Sequence, residues 1–267
     1  MVGMSNTPSD EKIIYEYPLN ERTRTLLRLN FLFERAAFGQ SGDSEWHSRI
    51  AVDALLDIMD LLTRSDARAE LQKELERQHA TLTQLLGLPD VADEQLKAIL
   101  EESERTTAAL RKIPPGLPTS VRGNEFLATI EQRSSILGGT CAFDLPSYHL
   151  WLQSAPSDRH ALLAQWFSGF DPLAQGCAFV LRLLRMSADP VEEIALQGSF
   201  NAKLDPTSDL QMLRVKVPRT AQCFPEISGS RHFCTIRFLS QPCQGERPKQ
   251  IEHDIAFILE RCVIQNR

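Results

Sequence analysis

The feature that most constrains this 267-residue chain is a change of hydrophobic period near Pro190. Before that point apolar residues recur every three to four positions. Beyond it they alternate every second position. The first pattern belongs to amphipathic helices and the second to half-buried strands. A chain with helices first and strands afterwards is of the α+β class. With 42% hydrophobic and 24% charged residues, it can bury a core of its own, which excludes disordered, collagen-like and coiled-coil rod classes.

The helical part punctuates itself. Asn20 suits the N-cap of a helix over 21–38, with Glu21 in its first turn. Ile50, Leu55, Ile58, Met59 and Leu62 place a second helix over 44–64. Asp66 caps a third, whose Leu71, Leu75 and Leu82 form a narrow seam ended by Gly87. A polar helix over 93–112 and a shorter one over 124–135 precede Gly138 and Gly139. Asp144 and Pro146 start another helix, Ser157 caps DRHALLAQWFSGF, and Asp171-Pro172 opens the last. Short links between such helices predict an antiparallel bundle.

Strands are expected at 194–200, 210–217, 232–239 and about 251–262, forming an antiparallel sheet. IIYEY (13–17) is a candidate extra strand. The expected division is a disordered tail over 1–12, a mainly helical domain over 13–189 and a β-strand domain over 190–267.

Charge narrows the partners. The net charge is −6, all of it carried by residues 1–140. Bulk charge therefore argues against nucleic acid. Locally, Arg214, Lys216, Arg219, Arg231 and Arg237 face only Glu226 across 210–240. That strip reads either as a site for an anionic partner or as a solvated sheet face. Arg24, Arg28 and Arg35 share one side of the first helix, within roughly 40° on the wheel.

The opening residues lack the basic-then-apolar order of a secretory signal. No apolar run of about 18 residues exists, so no membrane span is expected. Six scattered cysteines read as reduced thiols, and the expected compartment is cytoplasmic.

Motifs for chemistry are few. Neither phosphate-cradling glycine motif is present, nor H-E-x-x-H, nor G-x-S-x-G. The nearest metal-like set is His232, Cys234, Cys243 and His253, and packing explains it better than a metal. The sharper enzyme candidate is GGTCAFDLPSYH. In it Cys141 would be a nucleophile and His149 its base, with the two glycines admitting a substrate. The competing reading is a packed thiol at a helix entrance.

Five segments point further: YPLNERTRTLLRLNFLFE (17–34), LLDIMDLLTRSDARAELQKELERQ (55–78), GGTCAFDLPSYHLWL (138–152), FPEISG (224–229) and TIRFL (235–239). Together they resemble the ZapD family, Z-ring-associated bacterial cell-division proteins, from residue 13 onward. The resemblance implies a helical domain plus a β-domain assembled as a homodimer, without catalytic activity, cofactor or metal. It also implies binding to the C-terminal tail of FtsZ at the mid-cell division site, and the bundling of FtsZ filaments that supports the Z ring.

The resemblance carries tail-binding basic positions onto Arg28, Arg64, Arg68, Arg133 and Arg237, with His149 in YHLWL and Arg231 or His232 in the turn before TIRFL. A partly acidic tail calls for apolar walls and fixed cations, and Arg pairs bidentately with carboxylates. The chain departs from the family at Glu125, where a basic residue is expected and where Arg122 is near enough to substitute. Structural readings stand beside these. Arg64 and Arg68 would pair with Asp60 and Asp66, and Arg28 would pair with an internal carboxylate such as Asp144. A thiol enzyme using Cys141 and His149, or a nucleic-acid module using 210–240, are the alternatives.

Overall fold

The computed structural model describes residues 11–88, 92–241 and 245–264. Its α+β class agrees with the periodicity: helices come first, and antiparallel sheets follow. Residues 1–10 of the expected tail, and Cys243, lie outside the described residues. The chain divides into two compact units, one of residues 25–181 and one of residues 1–24 with 182–267.

The unit over 25–181 is helical. Its elements come from α1 (Glu21–Gln40), α2 (Glu45–Arg64), α3 (Ala67–Thr83), α4 (Asp93–Arg111), α5 (Glu125–Ser134), α6 (Pro146–Leu152), α7 (Pro156–Phe167) and α8 (Asp171–Met186). Leu55, Ile58, Leu71, Leu75, Leu110, Leu127 and Ile130 are fully buried there. Ser44 caps α2 by accepting from the His47 amide, and Asn124 caps α5 by accepting from Leu127.

Three starts differ from expectation. Asp66 stands at the N-cap of α3 but makes no capping bond. Ser157 is not a cap, because Pro156 already opens α7 and Ala155 holds the cap position. A 3₁₀ turn at Ser168–Phe170 runs straight into α8, so Asp171 begins inside a helical run rather than capping it.

Arg159, 4% exposed, is the main buried cation of this unit. It donates to Ser48 Oγ at 3.0 Å, to the carbonyls of Leu152 at 2.9 Å and Ser154 at 2.6 Å, and to that of Asp43. One guanidinium thus satisfies the corner between α6 and α7 and the loop before α2.

The other unit is built on two antiparallel sheets. The first takes β1 (Lys12–Pro18), β4 (Met212–Pro218), β8 (Ile255–Cys262) and β2 (Pro190–Ala195), in the order β1-β4-β8-β2. IIYEY is therefore an edge strand of this sheet, paired Tyr15 to Val215. The second takes β3 (Ser199–Lys203), β6 (Phe233–Ser240) and β5 (Phe224–Gly229), in the order β3-β6-β5, with β7 (Lys249–Gln250) on the end of β6. Leu213, Val215, Leu259, Phe257, Ile236 and Phe238 fill one core from both sheets.

One strand expectation fails and one strand was not expected, each for a local reason. The run 194–200 is not one strand. Gln197 and Gly198 both have positive φ (48° and 71°) and turn the chain from β2 into β3. FPEISG is a strand despite Pro225, which is tolerated because β5 lies at a sheet edge.

A chain of charges crosses the first sheet. Arg185 holds Glu16 through two 2.8 Å bonds, and Arg214 bridges Glu16 at 3.0 Å and Glu260 at 2.5 Å. Lys216 also pairs with Glu260.

Candidate functional site

The strongest local anomaly lies in the segment between α5 and the end of α6. It turns on successive short hydrogen bonds: Ile136 to the Arg133 carbonyl, Gly139 to that of Ile136, Cys141 to that of Gly138, and Leu145 to that of Cys141. Gly138 adopts φ +71°, and a Cβ on Gly139 would lie 2.4 Å from the Arg133 carbonyl oxygen. The space at Gly139 is thus filled by the chain itself and does not admit a substrate.

Helix α6 explains what this segment buries and what it leaves out. Leu145, Tyr148 and Leu152 point inward and are 4%, 1% and 1% exposed. Tyr148 stacks on Trp151 at 5.8 Å, within a cluster completed by Phe126 and Trp166. The outward side carries Leu150, 75% exposed, and His149. Phe143 is 84% exposed in the preceding turn, and Ile136 and Leu137, earlier in the same segment, are exposed too. Large apolar side chains left in water along one stretch mark a surface that a partner covers.

Helix α2 fixes this arm in place. The Arg49 guanidinium lies 5.1 Å from the Tyr148 ring and 5.4 Å from that of Trp46, and donates to the Thr140 carbonyl at 3.2 Å. Gln153 donates to Glu45 at 2.7 Å. Trp46 itself is exposed and adds an aromatic surface on the α2 side. Burial, followed by the charge of nearby Asp53, holds the Tyr148 hydroxyl well above its ordinary pKa. It is a packing group, with no acid–base role at neutral pH.

The expected site residues fall into four places. Arg133, at the end of α5 just before the arm, and His149, on the arm, are both exposed and without a side-chain hydrogen bond or ion pair among the described residues. Arg28 is also exposed on α1, one turn before exposed Phe31, and has no carboxylate partner among the described residues, so it does not pair with an internal carboxylate there. Asp144, the suggested partner, instead accepts from the Cys141 thiol at 3.5 Å. Arg64 pairs with Asp60 at 2.6 Å, while the nearby Arg68 has a buried Nε without a partner and no pair with Asp66. Arg231 and Arg237 belong to the sheet unit, where Arg231 donates to the Pro206 carbonyl and Arg237 pairs across strands with Glu226 at 2.8 Å.

The substitute at Glu125 does not materialise. Arg122 is spent on its own loop, donating to the Leu117 carbonyl at 2.7 Å and that of Pro115 at 3.0 Å. Glu125 and Glu131 instead line a cavity of about 310 Å³ with Met59 and Val121, so this edge is acidic.

The alternative chemistries gain little from the geometry. No hydrogen bond joins Cys141 to His149, and the group that accepts from the thiol is the Asp144 carboxylate rather than an imidazole. Of the 210–240 cations, Arg214, Lys216, Arg219 and Arg237 are each paired with a carboxylate. The strip is mostly neutralised where it stands. Sequence reasoning missed Trp46, Leu137, Phe143 and Leu150 as surface residues, because apolar side chains are assigned to cores by default. The glycine pair followed by a seven-residue helix was the available signal, since so short an element cannot bury every apolar residue around it.

Comparison with known proteins gives the chain its relatives. The family model for ZapD, described as a cell division protein, matches residues 27–237. The chain is 40% identical over 250 residues to "Cell division protein ZapD" of Dechloromonas aromatica (strain RCB), covering 94% of this chain and 99% of that one. It is 40% identical over 251 residues to the protein of the same name in Janthinobacterium sp. (strain Marseille), again 94% and 99%. With that of Methylococcus capsulatus it shares 38% over 253 residues, 95% and 99%.

Proposed function

The chain belongs to the ZapD family of cell division proteins, and from that membership we propose that it binds the C-terminal tail of FtsZ and cross-links FtsZ filaments. The observation that supports this most is the arm, where exposed Phe143, Leu137 and Leu150 are accompanied by His149 and by Arg133 at the end of α5, neither of which has an ion pair among the described residues. A short tail bearing apolar and acidic residues finds both apolar contact and cations on one stretch of chain. Arg28 and Arg68 are further cations without carboxylate partners among the described residues, whereas Arg64 and Arg237 must give up Asp60 and Glu226 to serve.

Bundling follows from bivalency. A homodimer carries two tail sites, and a filament presents many tails in a row, so a weak site suffices through effective concentration. Such a protein works at the mid-cell ring in the cytoplasm and needs neither cofactor nor catalysis. Among the described residues no helix is long and apolar enough to cross a membrane.

The test is fluorescence anisotropy with a labelled FtsZ C-terminal tail peptide. Phe143→Ser with Leu150→Ser, and separately His149→Glu, should each weaken binding at least about tenfold while the thermal melt is retained. Unchanged affinity in both variants removes the arm from the proposal. Cys141→Ala should bind normally, and a loss there would favour the thiol reading.

A further inference from the structure

A second cavity, remote in sequence from the arm, lies in the helical unit. It has a volume of about 550 Å³ and sits between the last turns of α4, the loop 113–119 and the turn before α8. Its walls include Ala108, Ile113, Pro118 and Pro172, and two cations, Arg105 and Lys112, line it as well. No carboxylate is among the lining residues.

The cavity is held open by its own construction. Gly169 allows the loop to close in, since a Cβ there would lie 2.4 Å from Pro118 Cβ. Ser120 Oγ donates to the Trp166 carbonyl at 3.0 Å, and the Arg122 guanidinium pins the carbonyls of Pro115 and Leu117. A wall of prolines clamped this way loses little entropy when something binds against it. This gives Arg122 a structural role that its sequence position did not suggest.

The charges point to the occupant. Neighbouring cations are matched: Lys97 pairs with Glu94, and Arg111 with Glu76. Arg105 and Lys112 are exposed and have no ion pair among the described residues, although the chain around them is acidic. Arg105 lies on α4 and Lys112 is its C-cap seven residues on, roughly 10 Å along the axis at 1.5 Å per residue. An extended peptide covers roughly 10 Å in three residues.

We propose that this cavity binds a short acidic peptide segment in which two carboxylates three residues apart bracket apolar side chains, the carboxylates on Arg105 and Lys112 and the apolar groups against Ala108, Ile113 and Pro118. The site is separate from the arm and does not depend on the tail reading. It adds a second kind of docking point to each subunit.

The probe is a fluorescein-labelled Asp-Phe-Leu-Asp peptide, titrated into the full-length protein by anisotropy beside its Asn-Phe-Leu-Asn counterpart. The acidic peptide should bind at least about tenfold more tightly than the neutral one. Arg105→Glu with Lys112→Glu should remove that advantage, and Ala108→Trp, which fills the cavity, should abolish binding while the thermal melt is kept. His149→Glu should leave it unchanged. Equal binding of the two peptides, no binding of either, retention by Ala108→Trp, or loss with His149→Glu would each overturn the proposal. Failure of the arm variants to affect the FtsZ tail peptide would not touch it.

Discussion

Replacing Arg49 with methionine keeps an apolar stem of similar length and removes only the guanidinium. That group donates to the Thr140 carbonyl at 3.2 Å and lies 5.1 Å and 5.4 Å from the Tyr148 and Trp46 rings. A hydrogen bond from a charged donor contributes about 1.5–3 kcal/mol. Each cation–π contact adds about 0.5–2 kcal/mol, with exposed Trp46 at the low end. After allowance for overlap, about 2 kcal/mol of the attachment between α2 and the arm rests on this residue. At about 1.4 kcal/mol per factor of ten, the arm should open about 30-fold more often in Arg49→Met. Hydrogen exchange is the assay, read at the Cys141 and Leu145 amides, which bond only within the arm's own turns. They should exchange about 30-fold faster while amides in the middle of α2 are unchanged, and FtsZ-tail affinity should fall with arm order. If exchange at Cys141 and Leu145 stays at the wild-type rate, Arg49 does not hold the arm.

Other perturbations test the frame around the site. Arg159→Met strands the carbonyls of Asp43, Leu152 and Ser154 and should cost about 3 kcal/mol in urea unfolding, with an unchanged denaturant slope. An unshifted midpoint would mean that water replaces the guanidinium fully. Acid sensitivity should trace to Glu16. Burial raises its pKa, but the hydrogen bond and charge of Arg185, and those of Arg214, outweigh it and leave the pKa below the usual 4.5. Its stabilisation is therefore complete above that value and is lost as pH falls through the lowered folded pKa. Glu16→Gln should be less stable at pH 7 and show a shallower loss below pH 4.5, as followed by thermal melts. Gly139→Ala drives a Cβ to 2.4 Å from the Arg133 carbonyl and should disorder the arm, seen as faster exchange at Cys141, with α3 and α4 unaffected.

Much of this architecture was legible because each element carried its own local signals. α2 shows Ser44 before its first turn and a wide apolar stripe, and α5 shows Asn124; both starts were found where a side-chain cap exists. At Asp66 and Ser157 the same residue types stand near helix starts without capping, since Asp66 makes no bond and Pro156 already sets the backbone of α7. The sheet unit was less transparent. Apolar alternation runs straight through Gln197 and Gly198, so only backbone φ separates β2 from β3. Nothing in local periodicity announces that the strands divide between two sheets, because pairing such as Tyr15 with Val215 links residues 200 positions apart.

The candidate site was legible as a segment and less so as a surface. GGTCAFDLPSYHLWL stood out; His149 is exposed on it, and Arg133 is exposed at the end of α5 just before it. Whether a cation is free depends on carboxylates that arrive from elsewhere in the fold, and counting charges along the chain cannot supply that. Arg237 meets Glu226 across a strand pair, and Arg214 meets Glu16 and Glu260. Arg28, expected to need a buried partner, is instead exposed because it lies on the outer side of α1.

The proposed function makes this protein a tail-dependent cross-linker of FtsZ. Its most direct test is co-sedimentation with GTP-polymerised FtsZ, run beside FtsZ lacking its C-terminal tail. Bundles should pellet with the protein only when the tail is present, and should diminish between about 50 and 500 mM salt as charges are screened. Equal pelleting with tailless filaments, or no pelleting with intact ones from a folded protein, would contradict it.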